Sequence, residues 1–286
     1  MFIRTEKLSY TYMAGSSLAV EALRDLDIGI PRGSFTVLLG PSGSGKSTLL
    51  QHFNGLLRPT GGRIFIEGRP LNYDRRQLRE LRRRIGLVFQ EPERQFFSES
   101  LYEEIAFAPR NFGLPASLVE ERVERALQQV GLEGEGLRER SPFQLSAGQQ
   151  RLAAIAAVLA MQPGALMLDE PTAGLDQSAQ QRLFTLLQQL NLSGQTIIVV
   201  THRLDQIVSL SDHLIVLNRG TLLVEGKPDN IFSQPELLHR YGLYLPPVME
   251  LMKELIAAGL PFPPALYSLE EARQEIVAWR NRGFKP

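Results

Sequence analysis

The nine residues Gly40-Pro41-Ser42-Gly43-Ser44-Gly45-Lys46-Ser47-Thr48 constrain this chain more than any other stretch. They fit G-x-x-x-x-G-K-[ST], a pattern with a physical basis. Glycines without Cβ let the backbone bend around an anion and turn its N–H groups inward. Lys46 adds a mobile cation for β- and γ-phosphates, and Ser47 offers a hydroxyl to Mg²⁺. The flanks agree. Ser34–Leu39 is a short apolar run that reads as a buried strand, and Ser47–Phe53 reads as the start of a helix. Strand, glycine loop and helix N-terminus together hold phosphate on a helix dipole. The stretch predicts a nucleoside triphosphate, but it leaves open how the energy is used.

Composition narrows the rest. Lys+Arg and Asp+Glu are both 31, so net charge gives no global push toward nucleic acid or anionic membrane. There is no cysteine, which excludes disulfides, zinc thiolates and thiol catalysis. The start, Met1–Lys7, lacks a signal-peptide pattern. No run approaches the roughly 18 apolar residues that would span a bilayer.

Residues 2–30 read as β structure, with Leu26, Ile28 and Ile30 alternating as in a half-buried strand. Tyr10 and Tyr12 close the first strand. Packing on the core is the simpler reading of these rings, and stacking on a purine is the alternative. The segment Asp74–Arg84 carries six arginines. It reads either as a solvated helix with Leu78 and Leu81 inward or as a basic patch for nucleic acid or lipid head groups. Ile85–Phe89 is a buried-strand candidate ending at Gln90, followed by a loop with two exposed aromatics, Phe96 and Phe97. Ser117–Glu120 has capping-box spacing before an amphipathic helix with Val119, Val123, Ala126, Leu127 and Val130 on one face, stopped by Gly131. A helical subdomain about 91–160 between two strands is therefore expected.

Ser146 and Gln149 again have capping-box spacing, ahead of the alanine-rich run to Ala160. Ala165–Leu168 is an apolar strand running into Asp169-Glu170. An acid at that place can hold Mg²⁺ and its neighbour can take a proton from water; alternatively both are loop acids that cap a helix. Pro171–Asp176 is a turn and Ser178–Leu190 a helix. Thr196–Thr201 is another buried strand, ending at His202, one of four histidines. That position is a ligand edge in α/β sheets, where His202 either donates to a γ-phosphate or is structural. His213–Leu217 and Thr221–Glu225 read as a hairpin across Asn218-Arg219-Gly220. Prolines then cluster at Pro246, Pro247, Pro261, Pro263 and Pro264. Two helices follow from spacing, one with Val248, Leu251, Met252, Leu255 and Ile256 on one face, the other capped by Ser268–Glu271 and carrying Ala272, Ile276 and Trp279.

In this order, the phosphate loop, Gln90, Leu145–Gln149, Leu166–Glu170 and His202 resemble the ATP-binding subunits of ABC transporters over residues 1–230. The resemblance implies an α/β P-loop NTPase cassette, with a mostly parallel core sheet, an antiparallel β subdomain, a helical subdomain and a small α-rich C-terminal domain at 231–286 that contacts a dimer partner. By position, Gly40, Pro41, Ser42, Gly43, Ser44, Gly45, Lys46, Ser47 and Thr48 match the Walker A loop and Gln90 the Q-loop glutamine. Ser146, Ala147, Gly148 and Gln149 match the signature that acts in trans. Asp169 matches the Walker B acid, Glu170 the catalytic carboxylate, Asp176 the D-loop acid and His202 the switch histidine. Tyr12 matches the aromatic that stacks on adenine. ATP and Mg²⁺ are the implied ligands, with Ser47, Gln90 and Asp169 around the metal.

Val88–Phe97, Glu104–Asn111, Leu245-Pro246-Pro247 and Ser268–Ala272 are similar to the energy-coupling factor (ECF) subgroup, which includes cobalt and nickel importers. That implies a second cassette, identical or paralogous, a membrane-embedded coupling protein and a substrate-capture protein for a vitamin or transition metal ion. It also implies a peripheral place on the cytoplasmic face of the membrane and no nucleic acid partner. The alternatives are a soluble ABC ATPase associated with nucleic acid or ribosomes, and a regulatory ATP-binding protein. The family signature is usually Leu-Ser-Gly-Gly-Gln, and Ala147 departs from it. A positive φ at 147 would cost alanine about 1–2 kcal/mol. After a helix cap, helical φ is expected and alanine fits.

Overall fold

The computed structural model describes residues 1–134, 136–202, 207–232, 245–263 and 266–282. Strands β4 (Phe35–Leu39), β8 (Ala165–Asp169) and β9 (Thr196–Val200) are buried at every position, as their continuous apolar sequence requires. With β7 (Ile85–Val88), β10 (His213–Asn218) and β11 (Thr221–Gly226) they form a six-stranded sheet in the order β11-β10-β4-β9-β8-β7. Its pairs are parallel except β10 with β11, the hairpin across Arg219-Gly220.

Period-two alternation divides the side chains of this sheet between two cores. Val37, Leu39, Leu166, Leu168, Ile197, Val199, Leu214 and Val216 face one cluster. That cluster is filled by helices α3 (Leu101–Asn111), α4 (Ala116–Val130), α5 (Ala147–Leu159) and α6 (Gln177–Leu192). Leu38, Ala165, Met167, Ile198, Val200, Ile215 and Leu217 face the other. There they meet helix α1 (Lys46–Phe53) and a second, antiparallel sheet. That sheet comprises β1 (Ile3–Tyr12), β2 (Val20–Leu26), β3 (Gly29–Ile30), β5 (Gly61–Ile66) and β6 (Arg69–Pro70). Helix α2 (Arg75–Arg84) is capped by Asp74, whose carboxylate accepts from Gln77 N. It buries Leu81, half-buries Leu78 and leaves its arginines exposed, so it is the solvated helix.

Several expectations are corrected. Leu26, Ile28 and Ile30 are all buried, yet the strand breaks between them. Thr5 Oγ1 donates to Leu26 O and accepts from Ile28 N, and Asp27 accepts from Lys7 N, so side chains replace ladder bonds there. Ser117 does not cap α4. Pro115 takes the N-cap position and the helix begins at Ala116, ahead of Ser117, while Glu120 instead meets Tyr102 and Arg138. Phe96 is buried against the core and only Phe97 is exposed, its ring edge-on to Phe107 at 4.8 Å.

Helix α7 (Pro228–Phe232) follows the hairpin. Beyond it, α8 (Pro247–Ala257) and α9 (Leu269–Asn281) share a small cluster of Met252, Phe262, Leu266 and Ala272. The inward face of α8 is shifted from the expected stripe: Met249 and Met252 are buried and Leu251 is 49% exposed. The Ser268–Glu271 capping box is formed in both directions. Pro264 and the stretch 233–244 lie outside the described residues. No helix among the described residues is long and apolar enough to cross a membrane.

Candidate nucleotide site

The parallel strands β4, β9, β8 and β7 lie side by side and end on one edge. The sequence places a candidate functional residue at or just past the end of each: the glycine loop, His202, Asp169-Glu170 and Gln90. Asp169 is in register with Val200, and Leu38 is too, so the glycine loop and the acids flank the strand that leads to His202.

The loop needs its glycines for reasons of space. Gly40 has φ +149°, and a Cβ there would stand 2.2 Å from Leu217 O. Gly45, at the N-cap of α1 with φ +98°, would place a Cβ 2.7 Å from Ala22 O. No side chain caps α1, so its first N–H groups remain directed at the loop. Ser42 and Gly43 form an exposed crest, and Lys46 is only 7% exposed. Lys46 Nζ donates to Gly40 O at 2.8 Å and Pro41 O at 2.9 Å. Burial pushes its pKa down, and the Glu170 and Asp169 carboxylates pull it back up.

Asp169 ends β8 and is 7% exposed. Burial raises its pKa and the neighbouring Glu170 adds to this, while a hydrogen bond with Ser47 and the Lys46 charge oppose it. Asp169 Oδ1 is buried with no hydrogen-bond partner, as is Ser44 Oγ. Glu170 has φ +47°, a left-handed conformation that is uncommon without a glycine. Its amide donates to Val200 O, and its Oε1 lies 2.8 Å from His202 Nδ1. The pair is asymmetric in exposure: 13% for the Glu170 side chain and 60% for His202. Such a carboxylate–imidazole pair can accept a proton from water and pass a hydrogen bond to an anion.

Tyr12 is at the end of β1, 37% exposed, with its hydroxyl 3.1 Å from Thr48 Oγ1. It therefore stands beside the phosphate loop, not in the core. Ser146 caps α5 and forms the reciprocal capping box with Gln149. Ala147 is the first residue of that helix and is not among the positive-φ residues. Among the described residues, the side-chain hydrogen bonds of Ser146 and Gln149 stay within this capped turn. Ser146 and Ala147 are exposed. Asp176 accepts from Ala179 N at 2.7 Å and caps α6. Gln90 is exposed, two residues past Val88, which is in register with Leu168.

Sequence reasoning missed Arg151. It is 4% exposed and lies on α5 one turn beyond the signature segment. Its Nη1 donates to Gln90 O at 2.6 Å and its Nη2 to Ala173 O at 3.1 Å, with Glu93 at 4.0 Å. Burial lowers its pKa, and Glu93 and Glu91 oppose that. One guanidinium thus ties the loop after β7 and the turn after β8 to α5. A single arginine in an alanine-rich helix carries no periodic signal, so only the fold reveals it.

The profile described as ABC transporter matches residues 23–173. The chain is 43% identical to the energy-coupling factor transporter ATP-binding protein EcfA2 of Symbiobacterium thermophilum, over 93% of this chain and 92% of that protein. It is 41% identical to the EcfA2 of Caldanaerobacter subterraneus subsp. tengcongensis, over 100% and 99%. Among solved structures, cbiO1 of Clostridium perfringens, part of the ABC transporter complex cbiONQ, superposes with a TM-score of 0.74 at 38% identity, covering 88% of this chain and 98% of that one. A dimeric ATP-binding cassette in a post-hydrolysis state bound to ADP and Pi gives 0.71 at 31% identity, covering 79% and 98%. Fold, site order and relatives agree: the chain belongs to the ABC transporter family, among the ATP-binding subunits of the energy-coupling factor type.

Proposed function

We propose that this chain hydrolyses ATP to power uptake of a vitamin or transition metal ion, working as one of two cassettes on a membrane-embedded coupling protein at the cytoplasmic face. The observation that carries the chemistry is the grouping of the desolvated Lys46, the orphaned Asp169 Oδ1 and the Glu170–His202 pair on one sheet edge. The relatives favour transport over a nucleic-acid- or ribosome-associated ATPase.

ATP binds with its phosphates on the N–H groups of Gly40–Thr48 and its adenine on Tyr12. Lys46 exchanges its loop carbonyls for phosphate oxygens. A buried acid oxygen lacking a partner, with a serine hydroxyl bonded to the same acid, fits a hard divalent cation. Ser47, Asp169 and Gln90 would hold Mg²⁺, which when bound supplies positive charge against the β- and γ-phosphates. Glu170 takes a proton from the attacking water as the bond between the γ-phosphorus and the bridging oxygen breaks, releasing ADP. His202 leaves its bond with Glu170 to orient the water and the γ-phosphate.

Ser146, Ala147, Gly148 and Gln149 act on the nucleotide of the second cassette, and Asp176 lies in the turn that meets it. Residues 1–230 form the cassette in this reading, and 231–286 an appended dimer contact. The test is turnover of Glu170→Gln in the assembled complex. General-base removal should cost about 10²–10⁴-fold. Near-wild-type ATPase activity would remove Glu170 from that role.

A further inference from the structure

His52 has no role in the chemistry above, yet it is the most deeply buried titratable side chain of α1, with 0% exposure. Its Nδ1 lies 2.7 Å from Thr48 O. A carbonyl only accepts, so Nδ1 carries the proton and donates. Nε2 is then a lone pair, buried without a partner. Burial depresses the pKa of the ring, which keeps it neutral. An imidazole with one orphaned nitrogen is a costly way to fill a core.

Its neighbours suggest what it does. The Tyr10 ring stands edge-on to His52, with centroids 4.7 Å apart and planes at 72°. Tyr12 stands edge-on to Tyr10 at 4.8 Å and 84°. The pairing of β1 with β2 shifts register on both sides of Tyr10. Such irregularities re-aim side chains and gather next to active sites. Thr48 closes the circuit: its carbonyl holds His52 and its hydroxyl meets Tyr12. Three rings therefore run from the interior of the phosphate-binding helix to the exposed Tyr12.

We propose that His52 and Tyr10 are positioning residues for base recognition, fixing the plane of Tyr12 relative to the phosphate loop so that purine and phosphates are received by one rigid unit. The proposal rests on the assignment of Tyr12 to adenine. Edge-to-face aromatic pairs carry their own directional energy, so removing either inner ring lets Tyr12 turn.

The experiment compares Mg·ATP with inorganic tripolyphosphate plus Mg²⁺, each titrated calorimetrically into the full-length chain. Tyr12→Ala should weaken ATP roughly 10-fold, the scale of one base–aromatic stack, and leave tripolyphosphate unchanged. Tyr10→Leu and His52→Leu should each weaken ATP about 3-fold, again without moving tripolyphosphate. Tyr10→Phe, which keeps the ring, should restore ATP binding. In the assembled complex the Tyr10→Leu loss should appear in KM and not in kcat. Wild-type ATP affinity in Tyr10→Leu alongside a weakened Tyr12→Ala overturns the positioning role alone. Equal losses of ATP and tripolyphosphate in Tyr10→Leu also overturn it, since the stack then only holds the helix. An unchanged Tyr12→Ala removes the adenine assignment first, and the proposal with it. If His52→Leu fails to fold, the two Tyr10 variants decide the matter.

Discussion

The phosphate loop and the signature segment are both glycine-bearing helix starts, and they are built in opposite ways. At Gly40–Thr48 the helix has no side-chain cap, its lysine is 7% exposed and the adjoining acid has a buried oxygen without a partner. At Ser146–Gln149 the cap is complete in both directions, and Ser146 and Ala147 lie on the surface. The first region holds desolvated charge and two buried polar oxygens without partners, Ser44 Oγ and Asp169 Oδ1. The second has met its own needs and presents a capped helix end outward. In the proposed reading a chain with both carries two halves of different sites, which a second cassette would bring together.

Arg151 ties the helix of the signature segment to the loop after β7 and the turn after β8, beside the acids of the site, so removing it is the most severe disturbance of the contrast. Arg151→Met leaves Gln90 O and Ala173 O without their charged donor, and it takes the guanidinium away from Glu93, whose Oε1 lies 4.0 Å from it and whose Oε2 is buried without a partner. A loss of about 2–4 kcal/mol is expected, read as a lower urea midpoint at unchanged slope. A midpoint equal to wild type would show that the guanidinium ties nothing together.

A smaller effect, of opposite sign, should follow Asp169→Asn. Burial raises the Asp169 pKa above its usual 3.8. A raised folded pKa contributes stability that is fully present below the unfolded value and lost as pH rises through the folded one. At pH 7.5 the ionised acid is therefore a net cost, and asparagine removes it. In EDTA, Asp169→Asn should be about 1 kcal/mol more stable than wild type, with the advantage shrinking toward acid pH, while the stabilisation by Mg·ATP is lost. Lower stability in EDTA would contradict the desolvation account.

The same contrast explains what could be read before folding. The phosphate loop was legible because strand, glycines, lysine and helix are contiguous, and positive φ together with backbone carbonyls where a Cβ would stand requires glycine at 40 and 45. The continuous apolar runs at Phe35–Leu39, Ala165–Asp169 and Thr196–Val200 announced buried parallel strands. Local capping was read correctly at Ser146 and Ser268 but wrongly at Ser117, where Pro115 set the start first. Arg151 and His52 were not legible at all. The meaning of Arg151 lies in carbonyls 61 and 22 positions away, those of Gln90 and Ala173, and that of His52 in the Tyr10 ring, which packing of the antiparallel sheet on α1 brings to it. Leu251 failed for a related reason: on a short amphipathic helix the spacing fits two neighbouring faces, and contact with the rest of the fold selects the one carrying Met249 and Met252.

The smallest effect belongs to Ala147, the one departure from the usual signature. Position 147 is the first residue of α5 and has no positive φ, so alanine is unstrained there. Ala147→Gly gives up helix propensity and frees the unfolded chain, at a cost of about 0.5–1 kcal/mol. The side chain is exposed, and in the proposed reading its other consequence lies in the approach of the second cassette. If the methyl group fits that junction, Ala147→Gly in the assembled complex should leave ATP turnover within about twofold, a barrier change of about 0.4 kcal/mol. A rise of about tenfold would mean that Cβ holds the two halves apart, and that this signature is tuned to close slowly.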